Sequence, residues 1–296
     1  MLKIKLIALY YQVCDLYNST LQWNVQRFSP NKDRGLITDE ELITIYLFAV
    51  IYQQRTEKKQ IYTYTKDHWE SWFPNLPSYQ TFNDRLNRLT DAFILFSAHL
   101  LSTNTLDANH KIILGDSMPI ITCSGKRTGK VAPEMTDKSY CASKDLWYYG
   151  VKLHLLAAQR KGKLPIANYL KITPASGHDL EAVRDVIKQE EDTSFVLDKA
   201  YCDALLAEQV EQQKGCLFTP QKNKRGESEQ IRQMEHAFKK QLNTAVAKVR
   251  QPIESLFNWI HQKTDIQNAN KVRSKKGLLL HIFGKLTAAF IIFTQF

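Results

Sequence analysis

The sequence lacks the cysteine patterns of zinc modules and of disulfide frameworks. Its 296 residues contain five cysteines, which form no CxxC pair and no Cys/His metal spacing. Disulfide-rich secreted domains and structural zinc sites depend on such spacings. The cysteine usage therefore predicts a protein of a reducing compartment, the cytoplasm.

Long uninterrupted hydrophobic runs are also scarce. The first 19 residues place two lysines before a short apolar run, but no small-residue cleavage site follows, unlike in a signal peptide. The C-terminal segment GLLLHIFGKLTAAFIIFTQF is the most apolar, yet His281 and Lys285 interrupt it. Since a membrane-spanning helix tolerates few such groups, we expect a buried helix and no membrane contact.

Acidic residues are scarce in the last quarter of the chain. Residues 221–296 carry 14 Lys and Arg against 5 Asp and Glu, whereas residues 1–110 carry 11 against 11. A concentrated basic surplus is typical of a surface that contacts the phosphate backbone of a nucleic acid, although a solvated basic face is the alternative. The candidate phosphate contacts fall in two basic stretches: Lys126, Arg127 and Lys130, and Lys271, Arg273, Lys275 and Lys276.

Residues 1–110 have helical periodicity. In TDEELITIYLFAVIYQQR, Thr38 is a candidate N-cap ahead of acidic residues and an apolar face. The segment PSYQTFNDRLNRLTDAFILFSAHLLS predicts one long amphipathic helix that starts at Pro77 and exposes Arg85 and Arg88. It could be the DNA-reading helix of a helix-turn-helix; a helical bundle without a nucleic-acid role stays open.

From residue 111 the pattern changes to short apolar runs separated by turn residues. It predicts three strands, then helix, strand, helix, strand and helix. Three antiparallel strands extended by parallel crossovers make an α/β fold, a mixed sheet with flanking helices in the order of the ribonuclease-H-like fold. We therefore predict two domains: residues 1–110, helical and DNA-binding, and residues 111–296, catalytic with a basic C-terminal part.

Three carboxylates occupy suggestive places in this order. The run KIILGD predicts Asp116 at the end of the first strand, and SFVLDKAY predicts Asp198 at the end of the fourth, its neighbour in such a sheet. Glu254 lies in the last helix, four residues after Arg250. A metal ion, a reacting substrate or a nearby arginine could compensate a buried carboxylate. Each acid alone is more often a turn or surface residue; the conjunction favours a site for Mg²⁺ or Mn²⁺.

Five blocks together carry a family resemblance: ILGDSMPIITCSGKR, YYGVKLHLLA, ITPASGHDLEAV, FVLDKAYCD and RQPIESLFNWI. Their sequences and order resemble the DDE transposases of bacterial insertion sequences, in the IS-four-like superfamily and most closely the group numbered nine-eighty-two. The resemblance implies that Asp116, Asp198 and Glu254 are catalytic and bind two metal ions, and that Arg250 contacts DNA phosphate. Lys263 is the nearest match to a lysine contact of the family, displaced by two positions.

The resemblance also implies an activity and partners. A transposase of this type binds the terminal inverted repeats of its own element, cleaves double-stranded DNA and transfers a 3′-hydroxyl end to target DNA. Such enzymes usually act as homodimers in a synaptic complex, here at the nucleoid in the bacterial cytoplasm. Two alternatives remain: a metal-dependent nuclease or resolvase without strand transfer, and an inactive DNA-binding derivative.

Overall fold

The computed structural model describes residues 1–25, 37–103, 108–126, 128–221 and 229–294, with only the backbone for residues 143 and 229–237. The helices are α1 (Leu2–Ser19), α2 (Asp39–Gln53), α3 (Lys58–Trp69), α4 (Tyr79–Arg88), α5 (Thr90–Thr103), α6 (Asp179–Ile187), α7 (Ala204–Gln212), α8 (Glu229–Thr264) and α9 (Lys275–Thr294). The strands are β1 (Asn109–Ser124), β2 (Asp137–Cys141), β3 (Leu146–Gln159), β4 (Ile166–Pro174), β5 (Ser194–Val196) and β6 (Cys216–Phe218).

The chain divides into two compact units. The helical unit comprises residues 1–103, 130–134 and 260–296, and the sheet unit comprises residues 104–129 and 135–259. This division differs from the predicted domains 1–110 and 111–296, since the C-terminal 37 residues group with the N-terminal helices. A DNA-binding role for residues 1–110 stays a prediction.

Two helices of the helical unit, α2 and α9, are buried on most of their surface. Thr38 begins α2 as predicted: its hydroxyl accepts from the Glu41 backbone N–H at 3.2 Å, and the Glu41 carboxylate accepts from the Thr38 N–H at 2.6 Å. The C-terminal helix α9 is long and apolar enough to cross a membrane, but most of its apolar stretch is buried in this unit. Its Thr287 hydroxyl, for example, donates to the Phe93 carbonyl at 3.4 Å.

The long helix predicted from Pro77 is instead two helices. α4 ends at Arg88 and α5 begins at Thr90, with Leu89 between them. The Thr90 hydroxyl donates to the Asn87 carbonyl at 2.7 Å. Because this side chain offers a carbonyl of the last turn a partner outside the helical ladder, the chain can change direction here.

The sheet unit contains the predicted mixed sheet. The strand order is β2-β3-β1-β5-β6, and β4 pairs with β3. β3 pairs antiparallel with β1, β2 and β4, whereas β5 pairs parallel with β1 and with β6. The predicted contact between the first strand and the strand before Asp198 is confirmed. The sheet and its flanking helices are consistent with a ribonuclease-H-like transposase fold.

One strand of the sheet unit differs from the sequence prediction, and one helix contains a proline. The hairpin strand β2 was not predicted, because Asp137–Cys141 alternates without a strongly apolar face. Pro252 lies inside α8, which runs from Glu229 to Thr264. Proline removes one backbone hydrogen bond from a helix without necessarily ending it, so α8 continues past this residue.

Candidate active site

Asp116 lies in the middle of β1, not at a strand end as the sequence suggested. β1 continues to Ser124 because the residues after Asp116 keep a period of two, with Met118, Ile120 and Thr122 buried. Asp116 stands opposite Leu155 of β3 in the antiparallel register. A carboxylate at mid-strand is flanked by chain on both sides, so its charge requires compensation more strongly than at a strand end.

Asp198 comes beside Asp116 through the parallel pairing of β5 with β1. Leu114 pairs with Val196, so the same register continued by two residues brings position 116 next to position 198. Asp198 is the N-cap residue of a short 3-10 helix, and its carbonyl accepts from the Tyr201 N–H at 3.0 Å. The strand end and this turn together fix the second carboxylate.

Gly115 is a site residue that the sequence analysis missed. A Cβ at this position would lie 2.5 Å from Cδ2 of Leu197 and 2.7 Å from Cδ2 of Leu156. Glycine therefore permits the close packing of the residue before Asp116 against the residue before Asp198. A glycine inside an apolar strand, directly before an aspartate, was the available signal.

Arg250 of α8 contacts all three predicted carboxylates. Its Nη1 lies 2.6 Å from Asp116 Oδ2, and its Nη2 lies 2.5 Å from Glu254 Oε1 and 3.9 Å from Asp198 Oδ1. Only 14% of the Arg250 side chain is exposed. Asp116, Asp198, Glu254 and Arg250 are thus brought together in the sheet unit, and the planar guanidinium suits such multiple contacts.

The environment of Asp116 works against its ionised form. Burial raises the pKa of this carboxyl to about 6, and the negative charge of Asp198 acts in the same direction. The Arg250 charge and the Ser117 N–H, which donates to Asp116 Oδ1 at 2.8 Å, oppose the rise in pKa without cancelling it. Additional positive charge would therefore favour the ionised carboxylate.

The residues fit a divalent metal by chemistry, although their present arrangement is that of an ion-pair cluster. In the described part of the chain, no group of three His, Cys, Asp or Glu side chains is arranged to hold a metal ion. The oxygens of Asp116 and Glu254 are bonded to the guanidinium instead. Carboxylate oxygens are nonetheless the donors that Mg²⁺ and Mn²⁺ prefer, and a cation would supply the same positive charge as Arg250.

A buried tyrosine lies next to these carboxylates. Tyr201 is buried, and its hydroxyl has no hydrogen-bond partner among the residues that the structure describes. Burial raises the pKa of this phenol, and the charges of Asp179, Asp116 and Asp198 raise it further. The hydroxyl is therefore a neutral donor close to the acidic site.

Comparison with known proteins decides the family. The chain matches the family model described as the transposase DDE domain over residues 107–291, which is more than half of its length. The chain belongs to this transposase family. Neither curated proteins nor solved structures give a match. The matched range of the transposase includes Asp116, Asp198, Arg250 and Glu254.

Behind the carboxylates, β3 of the transposase carries a buried polar cluster. Lys152 Nζ donates to Asp179 Oδ1 at 3.0 Å and to the Gly177 carbonyl at 3.0 Å. His154 is buried, with Nε2 2.8 Å from Thr173 Oγ1. Burial lowers the pKa of His154 to about 4, so this histidine is neutral at physiological pH. It is a hydrogen-bonded core residue.

The predicted DNA-contact residues of the transposase are spread over both units. Lys126 is exposed just after β1, and Lys130 is exposed within the helical unit; Arg127 lies outside the described residues. Lys263 is half-buried in the last turn of α8. The other exposed candidates belong to the helical unit: Arg88, Lys271, Arg273, Lys275 and Lys276.

Arg85 was predicted to be exposed for DNA contact, but it is buried. Its side chain is 8% exposed, and its Nη2 donates to Asp39 Oδ1 at 2.8 Å, while Nη1 donates to the Ile37 carbonyl. α4 turns this side chain inward because Phe82 and Leu86 on the same face are buried. Arg85 therefore joins α4 to the start of α2, and its guanidinium is not presented as a DNA contact.

Proposed function

We propose that the protein cuts phosphodiester bonds at the terminal inverted repeats of its own insertion sequence and joins the 3′-hydroxyl ends to target DNA. One observation carries the proposal: three carboxylates from β1, the turn after β5 and α8 converge on one guanidinium inside a transposase domain. Acids gathered from three distant parts of a chain repel each other, and groups with perturbed pKa values cluster at functional sites.

Asp116, Asp198 and Glu254 would hold the metal, two Mg²⁺ or Mn²⁺ ions. When bound, such ions activate the attacking water or 3′-hydroxyl and stabilise the leaving oxygen of a phosphoryl displacement. The raised pKa of Asp116 supports this assignment, because burial disfavours the ionised carboxylate and a bound cation would stabilise it. No attack by a protein side chain is required, since the acids act as ligands.

Arg250 would contact the phosphate of the DNA. Its guanidinium is bound to the carboxylates in this structure. Cations held by the carboxylates would compensate their charge and release the guanidinium for a bidentate phosphate contact. The exposed lysines and arginines around both units would bind the backbone of the duplex, with a marked salt dependence.

The remaining assignments rest on the family resemblance. The partners would be double-stranded element ends and target DNA, and the working form a homodimer in a synaptic complex. Within the family, the chain would belong to the insertion-sequence group numbered nine-eighty-two, and the protein would work at the bacterial nucleoid. Residues 1–110 would recognise the inverted repeats.

The test is an assay on labelled duplexes that carry the ends of the element, incubated with a target plasmid and Mg²⁺ or Mn²⁺, with EDTA as the metal-free control. The proposal predicts cleavage at the element end followed by a labelled product joined to the plasmid. Nicked ends without joined product would favour a nuclease or resolvase. Binding of the ends without cleavage in either metal would favour a DNA-binding derivative and contradict the proposed catalysis.

A further inference from the structure

The helical unit contains a cavity of about 480 Å³, separate from the carboxylate site. One wall is a face of α4, on which Tyr79, Asn83 and Asn87 follow at intervals of four residues. The segment between α8 and α9 supplies another wall through Lys271 and Arg273. Residues about 190 positions apart in sequence thus share one cavity of a size that suits a small ligand.

The cavity wall has a surplus of positive charge. Its two acids are Glu57 and Asp265, and its five cations are Lys58, Lys59, Lys271, Arg273 and Lys285. His281 adds no charge, because burial lowers its pKa to about 3. The net charge of the wall is therefore about three positive units, and an anion would be attracted into it.

Two of these cations are shielded from solvent, because Lys285 is buried and Lys58 is half-buried. Lys285 is 2% exposed, with Nζ donating to the Asp265 carbonyl at 2.9 Å, and burial lowers its pKa to about 8. Burial also lowers the pKa of Lys58 to about 8, and its Nζ donates to Asn87 Oδ1 at 3.0 Å. Both hydrogen-bond partners are neutral. The carboxylates of Asp265 and Glu57 favour the charged form of Lys285, and that of Asp84 favours the charged form of Lys58, but they do not cancel the effect of burial on either pKa, so part of each ammonium charge stays uncompensated. An anion in the cavity would balance them.

The wall also has groups that suit a nucleobase. Asn83, Asn268 and Asn270 line the cavity, and an amide both donates and accepts, as a base edge does. The partly exposed Tyr79 ring adds an aromatic surface. The cavity thus combines cations that suit a phosphate with amides and an aromatic ring that suit a base.

We propose that this cavity binds a nucleotide, with its phosphate against Lys271 and Arg273 and its base towards Asn83 and Tyr79. The nucleotide is either part of a DNA strand or free in solution; only the DNA source rests on the proposed function. In this proposal, Lys271 and Arg273 bind the same ligand as Tyr79 and Asn83 of α4.

The test measures binding to the full chain in EDTA, so that metal-dependent catalysis plays no part. The probes are the four deoxynucleoside 5′-monophosphates, the corresponding deoxynucleosides and a short duplex carrying the element end. The cavity variant is Lys271→Gln with Arg273→Gln. Its matched control is Lys275→Gln with Lys276→Gln, which removes the same charge from the same cluster at residues that do not line the cavity. Equal unfolding temperatures would show that both variants fold.

For the monophosphates, we expect the cavity variant to weaken binding at least about tenfold, because it removes two charge-assisted contacts, and the control variant to weaken it less than about twofold. For the duplex, both variants should weaken binding, because Lys275 and Lys276 would contact the DNA backbone, but the cavity variant should weaken it more. Asn83→Leu should also weaken binding, and deoxynucleosides without phosphate should bind at least about tenfold more weakly than the monophosphates. If the cavity variant loses more affinity for the monophosphates than the control variant does, free nucleotides are ligands. If this excess loss is seen with the duplex alone, DNA is the source of the nucleotide.

Three results would overturn the nucleotide site: equal weakening by the two double variants, no weakening by either, or no binding of any probe to the wild type. These results are distinct from a failure of the proposed function, which would appear as absent cleavage or joining with metal present. A protein that cuts and joins DNA could still lack the nucleotide site, and the reverse also holds.

Discussion

Arg250 Nη1 lies 2.6 Å from Asp116 Oδ2, across 134 residues of sequence. The positive charge that compensates the mid-strand carboxylate therefore comes from the same residue that the family resemblance assigns to DNA phosphate. A guanidinium that binds three carboxylates is less available for phosphate, so cations at the carboxylates and phosphate at Arg250 are expected to favour each other. This relationship leads to the first prediction.

Arg250→Met should destabilise the metal-free protein by about 3 kcal/mol, because it leaves Asp116 and its acidic neighbours without their compensating charge. Mn²⁺ should then raise the unfolding midpoint more in the variant than in the wild type, since the ion replaces the lost positive charge. Denaturant unfolding with and without Mn²⁺ measures both effects.

Arg184→Met is the matched control for this experiment. Arg184 pairs with Asp203 at 3.0 Å and with Glu181 at 3.0 Å in the same unit, and neither acid belongs to the site. Its loss should not be restored by Mn²⁺. An Arg250→Met protein that gains no more from Mn²⁺ than the wild type would argue against metal binding by the three carboxylates.

Asp116→Asn should change how stability depends on pH. Burial raises the folded-state pKa to about 6, so the folded protein keeps a proton that the unfolded chain releases near pH 3.9. The wild type therefore loses stability as pH rises from about 4 to about 6, by an amount on the order of 3 kcal/mol. The stability of Asp116→Asn relative to wild type should grow over this range, as measured by urea unfolding in EDTA.

Asp203→Asn is the comparison, because the pKa of Asp203 is shifted in the opposite direction to that of Asp116. The Leu206 N–H, followed by Arg184, holds the pKa of Asp203 below its ordinary value. This carboxylate stabilises the folded state above the unfolded pKa, so the difference between Asp203→Asn and wild type should be level from about pH 5 upwards. An equally level difference for Asp116→Asn would show that the Asp116 carboxyl is not perturbed.

Tyr201→Phe should leave the metal-free protein as stable as the wild type or stabilise it by up to about 1 kcal/mol, because it removes a buried hydroxyl that lacks a partner among the described residues. Tyr169→Phe is the control: the Tyr169 hydroxyl donates to the Ala182 carbonyl at 3.1 Å. Losing that bond should cost about 1 kcal/mol. Thermal unfolding of both variants measures these changes in stability. A marked loss of stability with Tyr201→Phe would mean that the Tyr201 hydroxyl is hydrogen-bonded.

The pairing of β1 with β5 and the closeness of Asp116 and Asp198 could be predicted from the sequence, whereas β2 could not. Apolar runs and helical periods are local signals, and their order restricts the sheet to few topologies. Asp198 could be placed beside Asp116 because parallel neighbours align their ends. Glu254 could be placed only from the family resemblance and from its position on the helix that follows the last strand.

Side-chain contacts between residues far apart in sequence could not be predicted. The Arg250 bond to Asp116 and the Arg85 bond to Asp39 join residues far apart in sequence, and no local period indicates such partners. The length of β1 was missed because its second half, after Asp116, lacks a continuous apolar run. The apolar pattern of α9 predicted burial correctly, but it could not show that the helix groups with residues 1–103.

The most direct test of the central claim compares the three carboxylates in one cleavage and joining assay on labelled element ends with Mg²⁺ or Mn²⁺. The variants are Asp116→Asn, Asp198→Asn and Glu254→Gln, and Glu208→Gln of α7 is the control, an exposed acid of the same unit. The account predicts that each site variant binds the ends but loses cleavage and joining by at least about a thousandfold, while the control keeps wild-type activity. Full activity in any one of the three site variants would contradict the assignment of that residue as a metal ligand, and full activity in all three would contradict the account.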